Sequence, residues 1–346
     1  MTLLVAMLWT SLPARAEDPA PAVGVVVEPS APAVADRTTI ETDAARLTPG
    51  LVLQLDAANA GERPGFSMHR ARISLDAEVD RLQGLGAFVQ IGAGAVDAPS
   101  PLLDAFVRFR VVGKGGPDFG ELHIGQRKVP VSREALREPA ELSFVDRAPA
   151  AALAPSRDVG VLWHLALARG RRRFGIDLGV WNGEGAGTPA SGRTTTTMRL
   201  QAGAGDAGRA KPGMDWGFGY SASEDTPSDA GRGAEAVLSV DGEIRYRALT
   251  AGAETILRAH QVADDARGFF GWVGWQLVAD TLELRARGEV LDPGPDDDGT
   301  PERALTFGLT FFYLAPRLRL MVDHTEGLTR GAANDGRTVT SFLFVL

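Results

Sequence analysis

Between Arg70 and Asp80 the chain alternates without a break. Ala71, Ile73, Leu75, Ala77 and Val79 fall on one side, and Arg70, Arg72, Ser74, Asp76, Glu78 and Asp80 on the other. A period of two puts successive side chains on opposite faces of a strand. This strand is therefore wholly apolar on one face and polar or charged on the other. Strands of ordinary soluble sheets run to about 5–6 residues, whereas a tilted strand crossing a bilayer needs about 9–11. The pattern recurs along the chain, and we read sixteen strands: 51–57, 66–80, 83–96, 102–112, 119–128, 157–169, 172–182, 194–204, 214–224, 235–247, 249–260, 268–279, 281–291, 303–314, 317–326 and 337–346.

An even count lets the sheet close with both ends of the chain on one side. A closed barrel is the one sheet that leaves no unpaired backbone edge in lipid. The connections support closure, because those after odd-numbered strands are the longer ones: 58–65, 129–156, 183–193, 225–234, 261–267, 292–302 and 327–336. Those after even-numbered strands are mostly one to six residues. The short connection near Pro99 and the long turn at 113–118 depart from the rule. Aromatic residues gather near strand ends (Trp181, Trp216, Tyr220, Phe269, Tyr313), as at a membrane interface. The last strand carries an apolar stripe, Phe342, Phe344 and Leu346, that ends at the terminus. A soluble β-sandwich also alternates, but its strands would be shorter and its polar face richer in Lys. The expectation is an all-β, 16-stranded antiparallel transmembrane barrel over residues 48–346.

Composition narrows the function classes. No run approaches the ~20 apolar residues of a membrane-spanning helix. The absence of Cys excludes disulfides and Cys metal sites. A net charge of -8 argues against nucleic-acid binding. Lys occurs only at 114, 128 and 211, so nearly all positive charge is Arg. Leu3 to Leu12 followed by Ala14-Arg15-Ala16 reads as a signal peptide, 1–16, although the usual basic start is missing. Residues 17–47 then read as a Pro/Ala-rich flexible segment. Both suit an exported protein of the Gram-negative envelope. Catalytic chemistry finds no footing: the five His are scattered, the acidic run at 292–298 reads as a loop tip, 191–197 has hydroxyls with no base beside them, and no phosphate-cradling loop is present. The chain is expected to be neither an enzyme nor a holder of a metal or cofactor.

The segment 129–156 is the longest connection. Loops of this length are uncommon unless functional or disordered. Ser132 is placed to cap a helical turn with Glu134 near its positive end, and Pro139 to end it. Leu142, Phe144 and Val145 offer an apolar anchor. The segment is therefore expected to fold inward and narrow the barrel, bringing Arg133, Arg137 and Arg147 near Arg108, Arg110 and Lys128.

Three stretches carry a resemblance to a known family. They are Phe66–Ala77, the strand 102–110 leading into Gly125-Gln126-Arg127-Lys128-Val129-Pro130, and 142–160 with Asp146-Arg147 and Arg157-Asp158-Val159-Gly160. In these the chain resembles the phosphate-selective porin O and P family. The resemblance implies a trimeric outer-membrane porin with a loop-constricted, Arg-lined channel for small anions, phosphate and polyphosphate among the candidates. Outer-membrane lipid and lipopolysaccharide would surround it. The polar faces nominate Arg70, Arg72, Arg108, Arg110, Arg127, Lys128, Arg157, Arg245, Arg247, Arg285, Arg287, Arg317 and Arg319 as lining residues beside Arg133, Arg137 and Arg147. Arg suits oxyanions because its planar fork of donors keeps its proton. Asp and Glu share the same faces, so these Arg either attract solute or neutralise carboxylates. A weakly selective diffusion porin and a mainly structural barrel stay open as alternatives.

Overall fold

The computed structural model describes residues 39–346 apart from 60–64, 80–83, 95–100, 113–117, 188–191, 206–211, 225–233, 262–264, 295–300, 315–316 and 330–335. The signal peptide, residues 17–38 of the flexible segment, the short connection near Pro99 and most of the acidic run lie outside the described residues.

A two-residue strand, β1 (Ile40–Glu41), precedes β2 (Ala45–Asn59), β3 (Gly65–Val79), β4 (Leu85–Ala93), β5 (Leu102–Val112) and β6 (Asp118–Lys128). After the long segment come β7 (Arg157–Arg169), β8 (Arg172–Trp181), β9 (Thr194–Gly205), β10 (Gly213–Glu224), β11 (Glu235–Tyr246) and β12 (Leu249–His260). β13 (Ala266–Val278), β14 (Leu282–Asp292), β15 (Glu302–Leu314), β16 (Leu318–Gly327) and β17 (Arg337–Val345) complete the chain. Every strand from β2 onward pairs antiparallel with its sequence neighbours, and β17 pairs with β2, so the sixteen form one closed barrel. The seam is finished by the terminus, where Leu346 N–H donates to the Leu51 carbonyl at 2.9 Å. The first barrel strand starts at Ala45, inside the stretch read as flexible, and Ile40 and Glu41 pair back onto Leu47 and Arg46.

The alternation sorts the two faces as the side chains demand. On β3, Ile73 is 60% exposed on the outer face, while Arg72 is 3% exposed on the inner one. Tight turns join strands at one end, and two of them place a non-glycine residue in the left-handed region, Arg247 (φ 55) and Asp280 (φ 54). Arg247 therefore sits at an exposed turn with its guanidinium 5.2 Å over the Tyr246 ring, not on a strand's polar face. Arg317 also lies in a turn, and Arg110 is exposed near a turn end where its N–H donates to Gly84. Arg247 thus departs from the strand position the alternation assigned it, because alternation fails to mark where a strand stops, while Arg110 and Arg317 stand at strand ends with the parity of Arg108 and Arg319.

Bulges shift phase elsewhere. Gln54 pairs with Arg70 but Leu55 pairs with Met68, so His69 is an extra residue. A bulge re-aims a side chain, and His69 is buried beside Arg70 rather than exposed with Ile73. Leu103 is turned in the same way on β5.

Candidate functional site

The segment 129–156 leaves β6 as three short helical turns joined by extended chain. Ser132 caps α1 (Arg133–Leu136), its hydroxyl accepting from the Ala135 N–H at 3.1 Å. Pro139 opens a 3-10 turn, Pro139–Glu141, and Pro149–Leu153 forms another. Val129, Val131, Leu153 and Ala154 pack with Leu162, Trp181, Val237, Ile256 and Ala266 from the barrel wall. Val145 packs with Met321 and Val339. Leu142 and Phe144 are also buried.

Polar bonds tie the segment to the same inner face. The Glu254 carboxylate accepts from the backbone N–H groups of Arg133 and Glu134, each at 3.0 Å. This satisfies two donors that a helix start leaves free. Asp323 accepts from the Val145 N–H at 2.6 Å. Wall arginines then donate to carbonyls along the segment: Arg199 to Val131, Arg319 to Pro139 and Leu142, Arg285 to Ser143, Arg287 to Asp146 and Arg70 to Val145. Arg287 also lies 4.7 Å over the Phe144 ring. Arg285, Arg287 and Arg319 thus hold the segment in place.

The remaining nominated cations divide by partner. Arg108 pairs with Asp76 (2.7 Å) and Glu78 (3.2 Å), and Arg157 with Asp104 (3.0 Å). Arg245 bridges Asp215 and Glu243, both at 2.6 Å. Arg133 pairs with Asp241, and Arg137 with Glu243 and with Glu134. Lys128 donates to the Leu136 and Arg137 carbonyls and to Glu138, within 2.9 Å in each case. Arg72 stands 3.8 Å from Glu138. Burial pushes the Glu138 carboxyl up, but Lys128, Arg72 and Arg157 around it bring it down to about 2.

Two cations differ. Arg147 donates to the carbonyls of Glu134 (3.0 Å) and Arg137 (2.6 Å). Arg127 contacts His123 Nδ1 and lies 4.9 Å over the Phe106 ring. Among the described residues, neither has a carboxylate within salt-bridge distance. Burial pushes the Arg147 guanidinium below its ordinary value, helped by Arg72 and Arg157 and opposed by Glu134 and Glu138.

Some contributors escaped the sequence reading. Arg199 is 1% exposed and bonds both the Val131 carbonyl and Asp241. Gly219 on β10 leaves room for the segment: a Cβ there would meet the Val131 carbonyl oxygen at 2.0 Å. Gly268 does the same beneath Ala150. A glycine inside a strand signals a close backbone approach, and that signal was present at both positions.

Comparison with known proteins fits this geometry. The family model for phosphate-selective porin O and P matches residues 52–258. No curated protein matches the chain. Among solved structures, OmpF of Salmonella typhi in complex with daunomycin is 12% identical, covering 89% of this chain and 100% of that one, with a TM-score of 0.60. An anion-selective porin from Comamonas acidovorans is 13% identical over 87% of this chain and 100% of its own, with a TM-score of 0.56. The trimer form of OmpT, an outer-membrane protein of Vibrio cholerae, is 13% identical over 88% and 100%, with a TM-score of 0.54. At such identities the structural likeness speaks for the fold.

Proposed function

The chain belongs to the phosphate-selective porin O and P family and is an outer-membrane porin, and from that premise we propose how it selects small anions. Segment 129–156 crosses the barrel interior and sets the narrowest part of the channel. The observation that carries this reading is the set of bonds from the segment to inner-face side chains of β3, β9, β11, β12, β14, β16 and β17. Solute passes on the side flanked by β4–β8, where Arg108, Arg127 and Arg157 line the way. Most of the nominated cations pair with carboxylates, so the positive field comes chiefly from cations such as Arg127 and Arg147, which bond neutral groups. A ring of such charges favours anions by lowering their energy in the channel.

The working form is a homotrimer embedded among outer-membrane lipid and lipopolysaccharide, exported by the leader at 1–16. The trimer form of OmpT supports the assembly. The band of exposed outer apolar residues, Ile73, Val107, Val240, Trp275 and Phe307 among them, supports contact with lipid. Planar-bilayer recording tests the whole: stepwise conductance with a reversal potential favouring Cl⁻ over K⁺ is expected. A sealed barrel or a cation-preferring one overturns the reading. Crosslinking in native membranes that gives only monomer overturns the trimer.

A further inference from the structure

Beside the segment lies a cavity of ≈ 360 Å³ lined by Asp56, Ser67, His69, Asp146, Arg147, Arg287, Glu289, Thr325 and Arg337, with Ala58 and Pro149. His69 reaches it only because the bulge on β3 inserts one residue opposite Gln54 and Leu55. At that point Gly94 (φ +125) approaches so closely that a Cβ would sit 2.7 Å from the His69 carbonyl oxygen. The ring stands between two carboxylates on different parts of the molecule. Nδ1 is 2.7 Å from Asp56 on β2, and Nε2 is 3.2 Å from Asp146 on the segment.

The charges facing the ring come from every element around it. Asp56 faces it from β2, Arg70 from its own strand, and Asp146 and Arg147 from the segment. Arg287 and Glu289 face it from β14, and Arg337 from β17. Glu289 pairs with Arg287 at 2.9 Å, and Asp146 with Arg337 at 3.4 Å. With His69 neutral, Arg70, Arg147, Arg287 and Arg337 exceed Asp56, Asp146 and Glu289 by one positive charge, and a proton on His69 raises that excess to two. A doubly protonated ring also presents N–H groups to both carboxylates, whereas a neutral ring turns a lone pair to one of them. Imidazole is the side chain whose ordinary titration falls between pH 5 and 8.

We propose that His69 is a specificity-determining residue whose proton sets the charge of this cavity, so that anion preference strengthens as pH falls through the histidine range. The proposal rests on the anion-porin reading above. Its test is the reversal potential of the refolded full chain in a KCl gradient near 0.1 M, at pH 8 and pH 5.5. The parent is compared with His69→Gln, His69→Arg and His123→Gln, each checked for folding by heat-modifiable migration. One unit charge on the inner wall, within about a Debye length of the permeating ions at this ionic strength, changes the Cl⁻/K⁺ permeability ratio by roughly two-fold. The parent ratio is expected to rise about that much on acidification. His69→Gln should lose that increment, His69→Arg should show the acid-state ratio already at pH 8, and His123→Gln should keep the parental slope. A parental slope in His69→Gln, or no slope in the parent, overturns the proposal while leaving the porin reading standing. Loss of channel activity or of anion preference at pH 8 in the parent instead strikes the porin reading.

Discussion

Replacing Arg147 by Gln removes a positive charge that the structure leaves on carbonyls rather than on a carboxylate. Its guanidinium donates to Glu134 and Arg137 at 3.0 and 2.6 Å, so Gln keeps polarity at the site while the charge is lost. A unit charge ~8 Å from a permeating ion is worth about 0.5 kcal/mol in water. With a Debye length of about 10 Å at 0.1 M salt, roughly half of that remains. The energy acts with opposite sign on Cl⁻ and K⁺, so the two ions separate by about 0.5 kcal/mol, a change of roughly two-fold in their permeability ratio. At 1 M salt the Debye length is about 3 Å and the effect disappears. The assay is reversal potential across a KCl gradient at both ionic strengths, with Arg147→Lys as the charge-retaining control. Arg147→Gln should halve the Cl⁻/K⁺ ratio at 0.1 M and leave it unchanged at 1 M, while Arg147→Lys should stay near the parent. An unchanged ratio at low salt, or an equal change at both salts, refutes the electrostatic argument.

The double variant Arg133→Gln/Arg137→Gln leaves Asp241 bonded to Arg199 and Glu243 to Arg245, so each carboxylate keeps a cationic partner. The ratio should therefore move toward cations by about four-fold at 0.1 M, two charges compounding, as read from the same potential. Gly219→Ala sets a Cβ against the Val131 carbonyl, and overpacking of this kind costs about 1–3 kcal/mol. Proteolysis within 129–156 should become faster while the barrel keeps its heat-modifiable migration, and equal cutting rates would count against the close approach. Glu138 carries a carboxyl lowered to about 2, so its contribution to holding the segment is fully present above the ordinary value near 4.5 and is lost as pH falls toward 2. Open-channel noise should stay constant from pH 7 to 5 and rise below about 4; noise rising already at pH 5 would contradict the pairing. Deleting 133–150 should raise single-channel conductance, and parental conductance would show that the segment is not the narrowest point.

Much of the barrel was legible because a period of two carries the physics of a two-faced wall. Arg70, Arg72, Arg285, Arg287 and Arg319 are buried on the face that alternation assigned to them. The pattern breaks where one residue is inserted or where a strand ends. His69 and Leu103 are turned by bulges that no spacing rule marks, and Arg247 and Arg317 fall in turns. The segment's apolar anchor was visible as Leu142, Phe144 and Val145, yet their seats were not: a glycine such as Gly308 marks a close approach without saying that Phe144 is what approaches. The partner of each arginine was illegible for the same reason. Arg137 pairs with Glu243, 106 residues away, as well as with its near neighbour Glu134. Arg147 bonds carbonyls rather than the adjacent Asp146.

The seam between β17 and β2 has a consequence for biogenesis. Each interior pairing joins strands that are consecutive in the chain, but this one joins the barrel's first strand, β2, to its last, with Leu346 bonded to Leu51. Until the final nine residues of sheet arrive, the protein is an open ribbon with two bare edges. Such edges are templates for pairing with other chains, and closure over nearly the whole length of the chain is entropically slow. A chain truncated before Arg337 therefore does not make a leakier barrel: it makes an aggregation-prone sheet.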